Sequence, residues 1–217
     1  FTGYDGLTVV DGTTIAPRPL SWALDGASTY RYQPGGTSIA SFAQTVNLSP
    51  ELRSAPTRLT LKTGSVDNGN LHVGANTHLL VDPLGSIELE SYRQLTVLGT
   101  LEARGGSIRL ARPARFDNGD PVAYGDARQS QSIYLGSDSR LLANGATRLD
   151  AATRSYLEAG FTPEALRAQG LYRGSVLGGG RVDIDAGLGY LITREGSVID
   201  VGGASDVVNV ATALGRG

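Results

Sequence analysis

The chain has no cysteine and no methionine, and its 217 residues include one tryptophan (Trp22), two histidines (His72 and His78) and one lysine (Lys62). Without cysteine there are no disulfides, no thiolate-held zinc and no thiol nucleophile. That suits an exported protein, which thereby avoids mispaired bridges, and it suits many cytosolic proteins as well. No apolar run approaches the ~18 residues that a membrane-spanning helix needs, so no membrane insertion is expected. Basic and acidic side chains nearly cancel, 19 against 21, for a net charge of −2. No strong field is present to recruit nucleic acid or an anionic membrane. Charged residues are 18% and hydrophobic residues 40%, a globular balance rather than a disordered one. With Phe1 first, no methionine and no signal peptide, the sequence reads as a piece of a longer protein.

Glycine is what the chain has in excess. Its 30 glycines are about twice average usage and stand at the ends of short alternating runs, without a collagen-like period. The plainest run is Gly85 to Leu110, where Ile87, Leu89, Leu95, Val97, Leu101, Ala103, Ile108 and Leu110 alternate with polar neighbours. That is the period of a strand with one face buried and one face wet. The cue Gly-Ser-Ile-x-Leu opens at Gly85 and returns at Gly106 in the same chain direction. A strand type that returns in one sense every ~20 residues points to stacked coils of a parallel β-solenoid.

Around this stretch the chain divides. Residues 1–57 carry Pro17, Pro19, Pro34, Pro50 and Pro56 and read as an irregular β-rich flank covering the first coil. Short strand-like runs remain in it at Leu7–Val10, Ser21–Leu24 and Thr29–Tyr32. From Arg58 to residue 217 the repeat takes hold, with excursions at 112–131 and 151–177. Within the second, Thr162-Pro163-Glu164 offers an N-cap, a proline at the first helical position and an acidic first turn, and Gly170 stands where a helix should stop. The repeat resumes at Gly180, and Asp206–Val210 is expected to open a further coil. The fold expected is therefore all-β, a right-handed parallel β-helix with an irregular N-terminal flank and a short helical insertion. An antiparallel sandwich is the rival, since Asn68-Gly69, Asn118-Gly119 and Asn144-Gly145 are hairpin signals.

The units Gly-Ser-Ile-Glu-Leu (85–89), Gly-Thr-Leu-Glu-Ala-Arg-Gly-Gly-Ser-Ile-Arg-Leu (99–110) and Gly-Ser-Val-Ile-Asp-Val-Gly-Gly (196–203) carry a family likeness. They resemble the shafts of large exoproteins of the filamentous haemagglutinin type, two-partner-secreted adhesins of Gram-negative bacteria. Tyr190 to Val201 is especially similar to these shafts, and the resemblance covers roughly residues 58–217. It implies export through an outer-membrane secretion transporter and a long rod at the cell surface. It also implies attachment to a receptor or glycan on a host or neighbouring cell, aggregation, or presentation of a distal toxin. The family's transporter-recognition motifs belong to an N-terminal secretion domain, and nothing in this sequence matches one convincingly.

Chemistry is sparse. Asp183, Asp185 and Asp200 are expected to point outward beside inward Val182, Ile184, Ile199 and Val201. On neighbouring coils such acids form a calcium site or a glycosidase pair; as a solvated face, with Arg181 and Arg194 as surface partners, they merely keep a rod soluble. His72 and His78 lack an obvious third metal ligand. Gly178-Gly179-Gly180 precedes a strand, whereas a dinucleotide-binding loop must open a helix. Trp22, Tyr30 and Tyr32 suit either sugar stacking or packing of the flank on the first coil, and Phe161 is expected to anchor the insertion. No catalytic, cofactor-binding or metal-binding residue is assigned. The expected role is a non-enzymatic shaft segment, with the excursions as contact surfaces; the alternatives are a carbohydrate-active β-helix enzyme or a carbohydrate-binding module.

Overall fold

The computed structural model describes residues 1–17, 20–24, 43–47, 55–64, 69–113, 116–117, 120–121 and 131–209. Short alternating runs separated by glycine and polar turns become short strands, and these assemble into three five-stranded sheets, A, B and C. The chain enters them in that order as β1 (Thr2–Gly3), β2 (Gly6–Val9) and β3 (Thr14–Ile15). An antiparallel pair follows, β4 (Leu20–Leu24) with β5 (Ala43–Asn47). The second visit to A, B and C is β6 (Arg58–Thr63), β7 (Asn70–Val73) and β8 (His78–Leu80); the third is β9 (Ser86–Glu90), β10 (Leu95–Val97) and β11 (Thr100–Glu102).

The fourth visit starts with β12 (Ser107–Ala111) and detours through β13 (Phe116–Asp117) and β14 (Asp120–Pro121), an antiparallel pair. It resumes as β15 (Ser132–Leu135) and β16 (Arg140–Leu142). A longer detour runs out along β17 (Thr147–Leu149), through helices α1 (Ala151–Glu158) and α2 (Pro163–Ala168), and back along β18 (Gly174–Val176), antiparallel to β17. The fifth visit is β19 (Arg181–Asp185), β20 (Tyr190–Thr193) and β21 (Val198–Asp200). Every pairing inside A, B and C is parallel, so the described residues are mostly β with two short helices, and a sandwich of antiparallel sheets is ruled out for these strands.

Register places like on like. In sheet A, Leu59, Ile87, Ile108 and Val182 are partners, as are Leu61, Leu89, Leu110 and Ile184. Sheet B aligns Leu7, Leu71, Leu95, Ile133 and Leu191, and sheet C aligns Ile15, Leu79, Leu101, Leu141 and Ile199. The members from the middle visits form one buried cluster, and the alternate residues face solvent. On the outer face of sheet A opposite charges neighbour each other, Lys62 with Glu90 at 2.9 Å and Arg109 with Glu88 at 3.1 Å. Half-exposed pairs of this kind add little stability, but like charges there would subtract from it.

The returning glycine cue has a steric cause. Gly85, Gly106 and Gly180 open the strands of sheet A, and each lies against the backbone of the preceding visit. A Cβ on Gly106 would sit 2.0 Å from the Gly85 carbonyl oxygen, and one on Gly180 would sit 2.0 Å from that of Gly106. Only glycine lets the backbones approach so closely at this corner.

Three sequence readings need correction. The regular pairing begins at Thr2, not at Arg58, because β1, β2 and β3 are the first strands of A, B and C. Residues 1–57 are therefore a first visit followed by a detour; Thr29–Tyr32 lies outside the described residues. Asp206–Asn209 opens no further strand of the three sheets; hydrogen bonds draw it sideways onto the helical detour instead. The Asn144-Gly145 signal makes no hairpin, since Gly145 donates to the Gly202 carbonyl at 2.7 Å.

Gly106→Ala is expected to cost about 3 kcal/mol, as overpacking against fixed backbone does. Chemical denaturation checks this: the midpoint should fall relative to wild type, and Gly178→Ala, which meets nothing within 4 Å, should leave it nearly unchanged.

Candidate functional site

The excursions at 112–131 and 151–177 are the candidate contact surfaces, and 151–177 is described throughout. Its helices form where the sequence signals them. Thr162 caps α2 by accepting from the Ala165 N–H at 3.2 Å, Pro163 follows, and Gly170 takes φ +70° beyond the last turn. Ahead of it α1 spans Ala151–Glu158 and is capped by Asp150, whose carboxylate accepts from the Thr153 N–H at 2.7 Å. That cap was legible as an aspartate ahead of Ala-Ala.

Leu166 and Thr153 are fully buried, and Tyr172 nearly so. The Thr153 hydroxyl donates to the Leu171 carbonyl at 2.8 Å and ties α1 to the chain leaving α2. Phe161 does not anchor the insertion on the sheets. It is half exposed and meets Tyr156 edge to face at 5.7 Å. Leu166, on the inner face of α2, is the residue that is fully covered.

A polar latch joins this insertion to the segment after β21. Asp206 accepts from the Thr147 hydroxyl at 2.7 Å, from Arg167 Nη2 at 2.9 Å and from the Tyr172 hydroxyl at 3.2 Å. The Arg167 guanidinium lies 4.2 Å from the Tyr172 ring centroid, and its Nε donates to the Val207 carbonyl at 2.9 Å. Asn209 completes the joint, with its backbone N–H donating to the Tyr172 carbonyl at 2.7 Å. The Thr147 hydrogen bond foremost, then those from the Val207 amide, Tyr172 and Arg167, hold the Asp206 carboxyl below its ordinary value against an opposing push from burial. Burial, and then the charge of Asp206, raise the Tyr172 phenol.

The 112–131 excursion lies mostly outside the described residues, but its two ends meet in a buried cluster. Thr63, Ser91 and Arg112 follow the register partners Lys62, Glu90 and Ala111 and all turn inward at the corner between sheets A and B. The Thr63 and Ser91 hydroxyls both donate to the Gly69 carbonyl at 2.7 Å. Arg112, 4% exposed, donates to the carbonyls of Arg93 and Tyr92, to Ala186 O at 3.0 Å, to Gln131 O at 3.2 Å and to Gln131 Oε1 at 2.6 Å. Burial pushes its guanidinium below the ordinary arginine value. A planar fork of donors reaching three successive visits is work that lysine's point charge cannot do. Sequence reading placed Arg112 at the edge of a polar loop and missed this role.

The other candidates are dispersed. Asp183 and Asp185 stand on β19 in sheet A and Asp200 on β21 in sheet C, so they belong to one visit and two sheets, not to neighbouring strands. Each holds a local donor: Arg181 Nε at 2.7 Å, the Gly187 N–H at 2.9 Å and the Gly202 N–H at 2.9 Å respectively. Arg194 lines an open groove of about 620 Å³ with Tyr134, Ser137, Thr193 and Glu195. His72 lies on β7 and His78 on β8, where His78 Nε2 is 2.9 Å from Glu102. Among the described residues no group of three or more His, Asp or Glu side chains is placed to hold a metal ion. Gly178-Gly179-Gly180 leads into β19, a strand. Trp22 falls in β4, while its side chain, Tyr30 and Tyr32 lie outside the described residues. Among the described residues no helix is long and apolar enough to cross a membrane. Compared with protein-family models, curated proteins and solved structures, the chain matches none.

Arg112→Lys is expected to destabilise the chain by about 3 kcal/mol, because buried carbonyls lose donors at 1–3 kcal/mol each. A thermal midpoint equal to that of wild type would remove Arg112 from this role. For the latch the sign follows from a depressed folded-state pKa. Its contribution is complete above the ordinary aspartate value of 3.8 and is lost as pH falls through the lower folded value. Protection of the Asn209 amide, its exchange rate compared with the intrinsic rate at the same pH, should therefore fall in strong acid, and Asp206→Asn should show that lower protection already at neutral pH.

Proposed function

We propose that the chain is a right-handed parallel β-helix and serves as a non-enzymatic shaft segment of a secreted surface adhesin of the filamentous haemagglutinin type. The observation that carries this reading is the fivefold return to sheets A, B and C in one order and one register. The right hand follows from the chirality that parallel crossovers obey. Each visit adds one strand spacing of about 4.8 Å, so the architecture converts chain length into reach. All three detours leave between strands of different sheets, so they interrupt none of the ladders. The shaft then carries loops as a rod carries side arms, with 151–177 offered to a receptor or glycan on a host or neighbouring cell.

The quoted shaft-like units supply the biological class: export through an outer-membrane transporter and residence at the surface of a Gram-negative bacterium. The competing reading, a carbohydrate-active enzyme, needs acids side by side on adjacent strands. Asp183 has Arg109 as its register partner and Asp200 has Leu142, which favours display over catalysis.

Antibodies against the chain are expected to label intact producing cells, and the purified chain to compete with their attachment. A variant lacking 151–173, with the stem strands β17 and β18 joined by a short linker, should keep the β-rich circular dichroism and lose the competition. Unlabelled cells would end the surface assignment. Polysaccharide depolymerisation abolished by Asp183→Asn or Asp200→Asn would move the chain to the carbohydrate-active class.

A further inference from the structure

The outer face of sheet B changes character along the stack. Its outward column is Thr8, His72 and Thr96 on β2, β7 and β10, but Tyr134 on β15 and Ile192 on β20. Tyr190, two residues before Ile192 on the same face, is 60% exposed, and Ile192 is 43% exposed. Two stacked turns follow these strands. One is closed by the Ser139 N–H donating to the Gly136 carbonyl at 3.1 Å, the other by the Ser197 N–H donating to the Arg194 carbonyl at 3.1 Å. Tyr134 and these turns line the open groove of about 620 Å³, Ser137 standing on the first turn and Arg194 and Glu195 on the second. The charges here behave differently from those elsewhere on the outer faces. Lys62 pairs with Glu90, Arg109 with Glu88, Arg104 with Glu102 and Arg181 with Asp183. Arg194 and Glu195 are adjacent and opposite in sign, yet among the described residues neither side chain has a partner, and nor does the Tyr134 hydroxyl. This face looks sideways from the stack. A strand added beside β20 would lengthen the ladder and leave the face open, as β10 and β20 on either side of β15 leave Tyr134 half-buried.

We infer that this groove binds a neutral saccharide, a disaccharide or trisaccharide of hexose units. Size selects a small ligand. The groove lies within the range of roughly 300–1,000 Å³ that small-molecule sites occupy. A few exposed side chains fall far short of the ~800 Å² per partner that a stable protein interface covers. Chemistry then selects a sugar. A pyranose has a face of C–H bonds, which rests on an aromatic ring, and a rim of hydroxyls that both donate and accept. Tyr134 offers the ring. The Glu195 carboxylate accepts from vicinal hydroxyls, the Arg194 guanidinium donates to hydroxyl and ring oxygens, and the Ser137 hydroxyl does either. The lining charges, one cation and one anion, cancel and give an acidic sugar no advantage. The site belongs to the stacked sheets themselves and does not rest on a contact role for 151–177.

Titration calorimetry of the full chain with maltotriose, cellotriose and β-1,4-galactotriose, and with trigalacturonate as the acidic comparison, tests it. The expected result is saturable binding of at least one neutral trisaccharide, tighter than that of trigalacturonate. Tyr134→Ala, Arg194→Ala and Glu195→Ala should each weaken this binding by about tenfold or more, as loss of a stacked ring or a charged hydrogen-bond partner does. Circular dichroism establishes that each variant folds. Arg194 and Glu195 stand on an exposed turn, so their variants read the site even where Tyr134→Ala loses stability. The variant lacking 151–173 should bind as wild type does. Four outcomes would each overturn the inference: no binding of any neutral trisaccharide, trigalacturonate binding as tight or tighter, wild-type affinity in both Arg194→Ala and Glu195→Ala, or binding lost with 151–173.

Discussion

Everything in this molecule depends on side chains of one kind lying directly over side chains of the same kind in the next strand. Strands of two to six residues form no ladder on their own, and a single visit to the three sheets buries too little to repay the ordering of its backbone. Stability comes from neighbours: Leu95 is sealed by Leu71 on one side and Ile133 on the other, and each of those by the next. The interior is thus a set of columns, and the energetic unit is the contact between visits rather than the visit itself.

The constraint shows most sharply at the corners. A strand can leave one sheet and enter the next only if its turn lies against the turn before it without steric conflict and with its carbonyls satisfied. Between sheets C and A the solution is glycine, which lets backbone rest on backbone. Between sheets A and B it is a polar ladder from Thr63 through Ser91 to Arg112, in which hydroxyls and then a guanidinium satisfy carbonyls that water cannot reach. Arg112 also secures the base of the 112–131 detour through Gln131, so a long excursion leaves the stack without opening it.

The 151–177 detour is held differently. Its helices bury Leu166 and Thr153 within the insertion itself, and it reaches the end of the described chain through the Asp206 latch. That latch draws Asp206 and Asn209 onto the insertion and not onto the edges of the last strands.

Strand alternation, the returning Gly-Ser-Ile cue and the cap of α2 were legible in the sequence because each depends only on residues a few positions apart. Thr162-Pro163-Glu164 and Gly170 carry their backbone preferences with them wherever they stand. The roles of β1, β2 and β3 were not legible: strands of two to four residues are too short to show a period, and a detour separates them from their partners. Nor could spacing reveal that Arg112 is buried among carbonyls, that Asp183 and Asp200 belong to different sheets, or that Asp206 meets Thr147 and Tyr172. Those placements are decided by which visit lies beside which, a long-range pairing that local propensity does not encode. The sequence by itself determined the strands and the direction of their return; only the tertiary structure decided what lies next to what, because the free energy that fixes neighbours is released between visits and not within them.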